Sequence, residues 1–284
     1  MTPSAVPARA DRAAARPGRA AARSAAARSA LLLLVAAAAL GAAGCGRSPS
    51  RPRTDLPAAD QLTLGERAIQ EGDNYQAQQM LKGYLEREPS GEKADEAHYL
   101  LGLSFFRTGE WPSAATEFVI IANQFAESPR VPDAQYYLGL AYWKQARGAS
   151  YDQDYTRLAR DQFDRFLALY LDHPKAGEIR ELRAQADGRL AKKDYENGRL
   201  YLKMGLLDPA RFYFREVQRK YPGTPWAHQS ALGEAKSWMR VERWAEAIPI
   251  LEALLAQAPA PEIAATARRL LAEAQRRAVP EAAP

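Results

Sequence analysis

The side chains that most often perform chemistry are few and scattered in this 284-residue chain. Its three histidines, His98, His173 and His228, lie apart from the only cysteine, and none has a histidine four residues away, so no zinc-binding spacing is present. Asp152-Gln153-Asp154 lacks the glycine and the distal glutamate of a calcium-binding loop, and we interpret it as a solvated turn. No glycine-rich phosphate loop and no Gly-x-Ser-x-Gly elbow occurs. We therefore predict no metal site, no cofactor and no catalytic residue.

Cys45 is the one residue whose position predicts a covalent modification. It follows an arginine-bearing segment, an apolar core from Leu31 to about Ala43 and small residues, which is the pattern of an export signal. The core is shorter than the roughly 20 residues of a membrane-spanning helix, which disfavours an uncleaved anchor. A single cysteine cannot form an internal disulfide, and a free thiol without a role is the alternative to modification.

The residues before Cys45 resemble a bacterial lipobox, although Ala42 stands where that motif usually has Leu, Val or Ile. We predict that residues 1–44 are a signal peptide and that Cys45 is lipidated. Gly46, rather than aspartate, follows the cysteine, and by the same resemblance this favours the outer membrane. Residues 45–59 contain three prolines and few apolar side chains, so we predict a flexible tether there.

The net charge of +5 does not indicate a nucleic-acid partner. The first 44 residues hold six of the 39 basic residues and one of the 34 acidic residues, which leaves 33 of each in the rest of the chain. A neutral mature chain lacks the basic surface that nucleic-acid binding requires, and we predict no such partner.

Small residues recur at nearly fixed intervals. A glycine is followed, usually twelve residues later, by an alanine, and four residues after that comes a large apolar residue or, in the last case, proline. Small residues allow two helices to cross closely. The glycines are Gly65, Gly102, Gly139, Gly198 and Gly233; the alanines are Ala77, Ala114, Ala159, Ala210 and Ala245; the residues that follow are Leu81, Phe118, Phe163, Phe214 and Pro249. The pattern resembles the tetratricopeptide repeat, a binding scaffold.

We therefore predict an all-α, tetratricopeptide-like superhelix of five helix pairs. Residues 60–174 form repeats 1–3, residues 175–278 form repeats 4 and 5 with an end helix, and residues 279–284 are a disordered tail. No proline interrupts the helical pattern between Pro174 and Gly205, so we expect a long helix in the fourth repeat. The third turn is expanded to about 147–155, and Pro249 is expected to kink or shorten its helix.

These features together resemble one family, the BamD (YfiO or ComL) lipoproteins of the β-barrel assembly (BAM) complex. The resemblance covers about residues 45–257, and its closest local matches are the segments 189–196 and 219–224. It implies a non-enzymatic scaffold, anchored by lipid to the periplasmic face of the outer membrane. The implied partners are BamA, other BAM subunits and unfolded outer membrane proteins.

Two sets of residues are candidates for these contacts. On the first helices of repeats 2 and 3, Tyr99, Phe106 and Tyr136 are expected to offer apolar pockets to an extended substrate peptide, and ordinary core packing is the alternative. In the fourth repeat, the family docks a BamA POTRA domain partly through an arginine. Tyr213 occupies the matching position here, flanked by Arg211 and Arg215. With Arg219, these arginines are expected to face outward, opposite the apolar stripe, where a merely solvated face is the alternative.

Two other functions stay open at this point. A periplasmic repeat lipoprotein of the Tol–Pal or cell-wall type would share the helix pairs and the lipid. An enzyme, such as a helical glycosidase, would need two convergent carboxylates about 5–10 Å apart.

Overall fold

The computed structural model describes residues 56–278. The predicted signal peptide, Cys45, all but the end of the tether and the tail lie outside the described residues. Within the described range the chain forms eleven α-helices and no strand. These are α1 (Ala58–Glu71), α2 (Asn74–Arg87), α3 (Ala94–Thr108), α4 (Trp111–Gln124), α5 (Val131–Gln145), α6 (Asp154–Leu169), α7 (Ala176–Lys203), α8 (Leu207–Lys220), α9 (Pro225–Met239), α10 (Trp244–Ala256) and α11 (Pro261–Ala278).

Consecutive helices pack against one another along the array. The five pairs run from α1–α2 to α9–α10, and α11 packs against α10. The predicted all-α repeat fold is confirmed, and so is the long fourth-repeat helix, because α7 spans 28 residues. The first helix begins at Ala58, two residues earlier than expected.

The predicted close crossings are confirmed in the first four pairs. A Cβ atom added to the glycine of each first helix would lie 2.7–2.8 Å from the large apolar side chain of the second helix. The alanines of these four second helices are fully buried. The contacts join Gly65 to Leu81, Gly102 to Phe118, Gly139 to Phe163 and Gly198 to Phe214.

The fifth pair departs from this rule, and the predicted roles of Ala245 and Pro249 are wrong. Both residues are exposed, whereas Ala247 and Leu251 are fully buried. The turn before α10 spans residues 240–243, against two residues in the first pair, and this shifts the buried stripe by two positions. Helix α10 continues through Pro249. The amide hydrogen that proline lacks would have bonded the Ala245 carbonyl, which lies on the exposed face and can be solvated.

The expanded third turn, residues 146–153, is an ordered loop tied to α7. Arg189 Nη1 donates to the carbonyl oxygens of Ala146 (3.2 Å) and Arg147 (3.1 Å), and its guanidinium lies 4.0 Å from the centre of the Trp143 ring. Inside the loop, Gln153 is 2% exposed and donates to three backbone carbonyls. Asp152, part of the predicted solvated turn, is exposed and accepts a hydrogen bond from the Asp154 amide at the start of α6 (2.7 Å).

Repeats 3 and 4 are joined by a charged network. Asp187 on α7 is buried; it accepts a hydrogen bond from Arg160 Nε on α6 (2.9 Å) and forms an ion pair with Arg183 (2.6 Å). Arg183 also donates to Asp164 (2.9 Å). Each of the four charged residues of this network therefore has a partner of opposite sign.

Candidate functional site

The three predicted aromatic residues of repeats 2 and 3 meet around a fourth, Tyr137. The ring centre of Tyr137 lies 6.3 Å from Tyr99, 5.4 Å from Phe106 and 5.1 Å from Tyr136. Tyr137 also stacks on Phe118 at 5.6 Å, and this contact seats the group on the buried core. We call Tyr99, Phe106, Tyr136 and Tyr137 the aromatic cluster. Sequence reasoning missed Tyr137, although the Tyr136-Tyr137 pair in the sequence marked it.

The members of the aromatic cluster differ in accessibility. Tyr136 is 6% exposed, and its hydroxyl donates to Glu178 Oε1 at 3.0 Å, so it links α5 to α7 as a core residue does. Tyr99, Phe106 and Tyr137 are half-buried. These three rings therefore keep apolar surface on which a partner's side chain can pack.

Basic side chains border the aromatic cluster. The Arg130 guanidinium lies 4.9 Å from the Tyr99 ring centre and is fixed by two hydrogen bonds to Glu96. Lys175 Nζ lies 5.4 Å from the Tyr136 ring. Burial raises the pKa of Tyr99 to about 12, helped by Asp133 and Tyr137 and opposed by Arg130. Burial also raises the pKa of Tyr136, reinforced by its hydrogen bond to Glu178.

Because its pKa is raised, Tyr99 is expected to ionise to tyrosinate only at unusually high pH. The folded pKa of about 12 exceeds the value of about 10 expected in the unfolded chain. The native state therefore binds the proton more tightly, and the stability that this provides below about pH 10 is lost as the pH rises towards 12. The absorbance difference between the wild type and Tyr99→Phe should develop near pH 12, with N-acetyltyrosine amide as the reference. If the absorbance difference instead appears at the pH at which N-acetyltyrosine amide ionises, the Tyr99 ring is solvated.

The second predicted group requires a correction, because Arg211 does not face outward. Arg211 is 8% exposed, pairs with Asp208 and lies 3.9 Å from the centre of the Trp238 ring on α9. Helix α8 packs against both α7 and α9, so the flank next to its apolar stripe is covered as well. Arg215 and Arg219 are exposed as predicted, and Arg215 Nε donates to Glu234 at 2.5 Å.

The surface near Tyr213 carries exposed apolar side chains as well as basic ones. Tyr213 is half-buried and stacks on Tyr201 of α7 at 5.5 Å. Phe212 contacts Tyr213 edge to face and is 61% exposed. Leu200 lies on α7 and is 56% exposed. Met204 follows one turn later, just past the end of α7, and is 61% exposed. Sequence reasoning missed Phe212, although a large aromatic residue outside the buried stripe is the signal that would have found it.

Two of the residues considered for chemistry, His98 and His173, make local contacts. His98 Nδ1 lies 2.7 Å from Glu117 Oε2, and His173 Nδ1 accepts a hydrogen bond from the Lys175 amide just before α7. Across that range no three His, Cys, Asp or Glu side chains are grouped as metal ligands. None of the eleven described helices is both long and apolar enough to span a membrane.

This chain is similar to several proteins of solved structure and matches the model of a sequence family. Among solved structures, MamA is 18% identical, with 70% of this chain and 90% of that chain covered and a TM-score of 0.32. TTC0263, a tetratricopeptide protein of Thermus thermophilus, is also 18% identical, with 76% and 99% covered and a TM-score of 0.30. Likenesses this weak carry no argument about function. No curated protein sequence gives a match. The sequence model of the YfiO family, described as outer membrane lipoprotein, matches residues 54–234. This chain therefore belongs to the YfiO family of outer membrane lipoproteins.

Proposed function

We propose that this protein is a scaffold subunit of the β-barrel assembly machine that binds BamA and unfolded outer membrane proteins and helps their insertion. The observation that carries the proposal is the family match over residues 54–234, which supports an outer membrane lipoprotein of the BAM type. The protein acts by binding and not as an enzyme. Other BAM subunits are further partners.

The aromatic cluster is the proposed contact for unfolded outer membrane proteins. Three of its rings are half-buried, and Arg130 and Lys175 stand at its border. This combination suits a peptide that carries an aromatic side chain, which can pack on the rings and against the bordering cations. Tyr136 supports the cluster from within the core and is not expected to contact substrate.

The α7–α8 surface is the proposed contact for a POTRA domain of BamA. Phe212 is its apolar anchor, Tyr213 and Arg215 flank that anchor, and Leu200 and Met204 extend it. Arg211 contributes by holding Trp238 and α9 against α8. Exposed aromatic and arginine side chains are the types most often found at binding hot spots.

The membrane attachment is proposed from the sequence alone. Signal peptidase removal of residues 1–44 and lipidation of Cys45 would hold the repeats on the periplasmic face of the outer membrane. The tether then ends where α1 begins, at Ala58. Two or more acyl chains give stable anchoring, whereas a single chain does not.

Binding of the full-length protein to purified BamA POTRA domains, measured by calorimetry, tests the proposed contact. We expect Phe212→Ala and Arg215→Ala to weaken binding about tenfold or more, as hot-spot substitutions do. Leu169→Ala, on a similarly exposed leucine of α6, is the control and should bind as the wild type does. If Phe212→Ala matches the control, the contact is elsewhere. Crosslinking in native envelopes that captures Tol components or peptidoglycan enzymes, and no BamA, would favour the other scaffold function.

A further inference from the structure

A groove lies between the second helices of repeats 2 and 3. It consists of two adjoining cavities of about 320 Å³ and 290 Å³, both bordered by Val119 of α4 and Tyr142 of α5. Helices α4 and α6 form its walls. We call it the α4–α6 groove. None of its lining residues belongs to the aromatic cluster or to the α7–α8 surface, so it is separate from the two contacts proposed above.

The lining of the groove combines aliphatic with polar side chains and is partly open to water. Val119, Ile120 and Leu138 supply aliphatic surface. Two large side chains at the α6 wall are exposed, Leu158 by 45% and Tyr155 by 43%. Covering such surface is favourable by about 25 cal/mol for each Å² removed from water. The groove therefore favours an occupant with apolar side chains.

Four carboxamide side chains are placed among these apolar groups: Asn123, Gln135, Gln145 and Gln162. Gln135 is 9% exposed, and its Oε1 is buried without a hydrogen-bond partner among the described residues. Gln162 Nε2 donates to the backbone carbonyl oxygen of Gln135, and not to its Oε1, at 3.4 Å, which is long for a hydrogen bond. An unpaired buried acceptor costs about 1–3 kcal/mol, so a donor brought by an occupant is favoured.

Charge restricts the occupant further. Within the part of the chain that the structure describes, the charged residues lining the two cavities are Asp161 and Arg165, which have opposite signs and lie four residues apart on α6. The groove therefore has no net charge to attract an acidic or a basic segment. A neutral occupant is the electrostatic complement of this lining.

We propose that the α4–α6 groove binds an extended, uncharged peptide segment of a partner protein. Its aliphatic side chains fill the two cavities, and its backbone amides pair with the carboxamides after a small rotation of Gln135. A carboxamide both donates and accepts, as a peptide group does. An extended segment exposes its backbone donors and acceptors, whereas a helix has already paired them internally. The carboxamides therefore select an extended chain over an amphipathic helix.

Fluorescence anisotropy with the full-length protein tests this proposal. The probe is a labelled octapeptide of alternating valine and serine with both ends blocked. We expect it to bind the wild type and to bind Leu158→Arg at least about tenfold more weakly, because the change removes aliphatic lining and adds a charge that the uncharged probe cannot pair. Leu169→Arg on the same helix is the matched control, since Leu169 is also exposed and does not line the groove. Leu158 and Leu169 are both exposed, so neither substitution should disturb the fold.

Two further variants and a control peptide complete the experiment. Gln135→Leu removes the unpaired acceptor, so it should keep or raise the melting temperature and yet weaken binding. Phe106→Leu alters the aromatic cluster and should leave binding unchanged. A blocked glycine–serine octapeptide should bind weakly. The proposal is overturned if the probe does not bind, if Leu158→Arg binds like Leu169→Arg, or if a stapled amphipathic helix binds more tightly than the extended peptide. Weaker binding in Phe106→Leu alone would overturn it too, in favour of the aromatic cluster.

Discussion

Phe214→Ala is expected to lower the unfolding free energy by about 3–5 kcal/mol, the loss typical of a fully buried phenylalanine. Phe214 is wholly buried on α8. Its ring fills the space beside Gly198 of α7 and Gly233 of α9, where an added Cβ would lie 2.7 Å and 2.6 Å from it. One side chain therefore packs three helices together, and its removal leaves a cavity at the centre of repeats 4 and 5.

Urea denaturation followed by circular dichroism measures this loss. Stability in repeat arrays is partly local, so hydrogen exchange of α7–α9 should rise more than exchange of α1–α3. Phe212→Ala, two positions away and 61% exposed, is the control and should change stability by no more than about 0.5 kcal/mol. Equal losses in the two variants would contradict the packing described for α8.

Gly198→Ala is expected to destabilise the protein by about 1–3 kcal/mol through overpacking. The added methyl group would lie 2.7 Å from Phe214 Cε1 and 2.8 Å from Cδ1. The ring cannot retreat freely, because Gly233 of α9 lies close to its Cζ and Cε2 atoms. The strain therefore has to exceed the gain of about 1 kcal/mol that alanine brings to a helix interior over glycine.

Gly188→Ala on the same helix tests whether the effect comes from the crossing. Apart from its chain neighbours and the backbone of its own helix, no described residue lies within 4 Å of a Cβ atom at position 188, so this change should stabilise the protein by about 0.5–1 kcal/mol. The two variants are thus expected to shift the urea midpoint in opposite directions. A stabilised Gly198→Ala would show that α7 and α8 are not held at close contact.

Much of the fold could be predicted because the size of side chains at fixed spacing determines where the paired helices of a repeat contact each other. In the first four pairs the predicted glycines do lie at close helix contacts, where each meets the large apolar side chain four residues after the alanine. The candidate sites were harder to predict. Tyr99, Phe106 and Tyr136 do meet, but through Tyr137, and Tyr136 proved to be a core residue.

Arg211 shows why the burial of a side chain cannot be predicted from the residue pattern of its own helix. The sequence pattern placed it opposite the apolar stripe and so predicted an outward direction, yet α9 covers that flank and places Trp238 against it. The predicted basic docking face is therefore smaller, and Phe212 supplies an apolar feature that the sequence pattern did not single out.

By itself, the sequence determined the helix pairs, the long fourth-repeat helix and four of the five close crossings, because these follow from side chains at fixed separations along the chain. The tertiary structure alone decided the shifted register of the fifth pair, the burial of Arg211 and the α4–α6 groove. Each of these depends on where a helix from another part of the chain comes to lie. That placement is set by the packing of neighbouring repeats and by turn lengths, and residue spacing within one helix does not specify it.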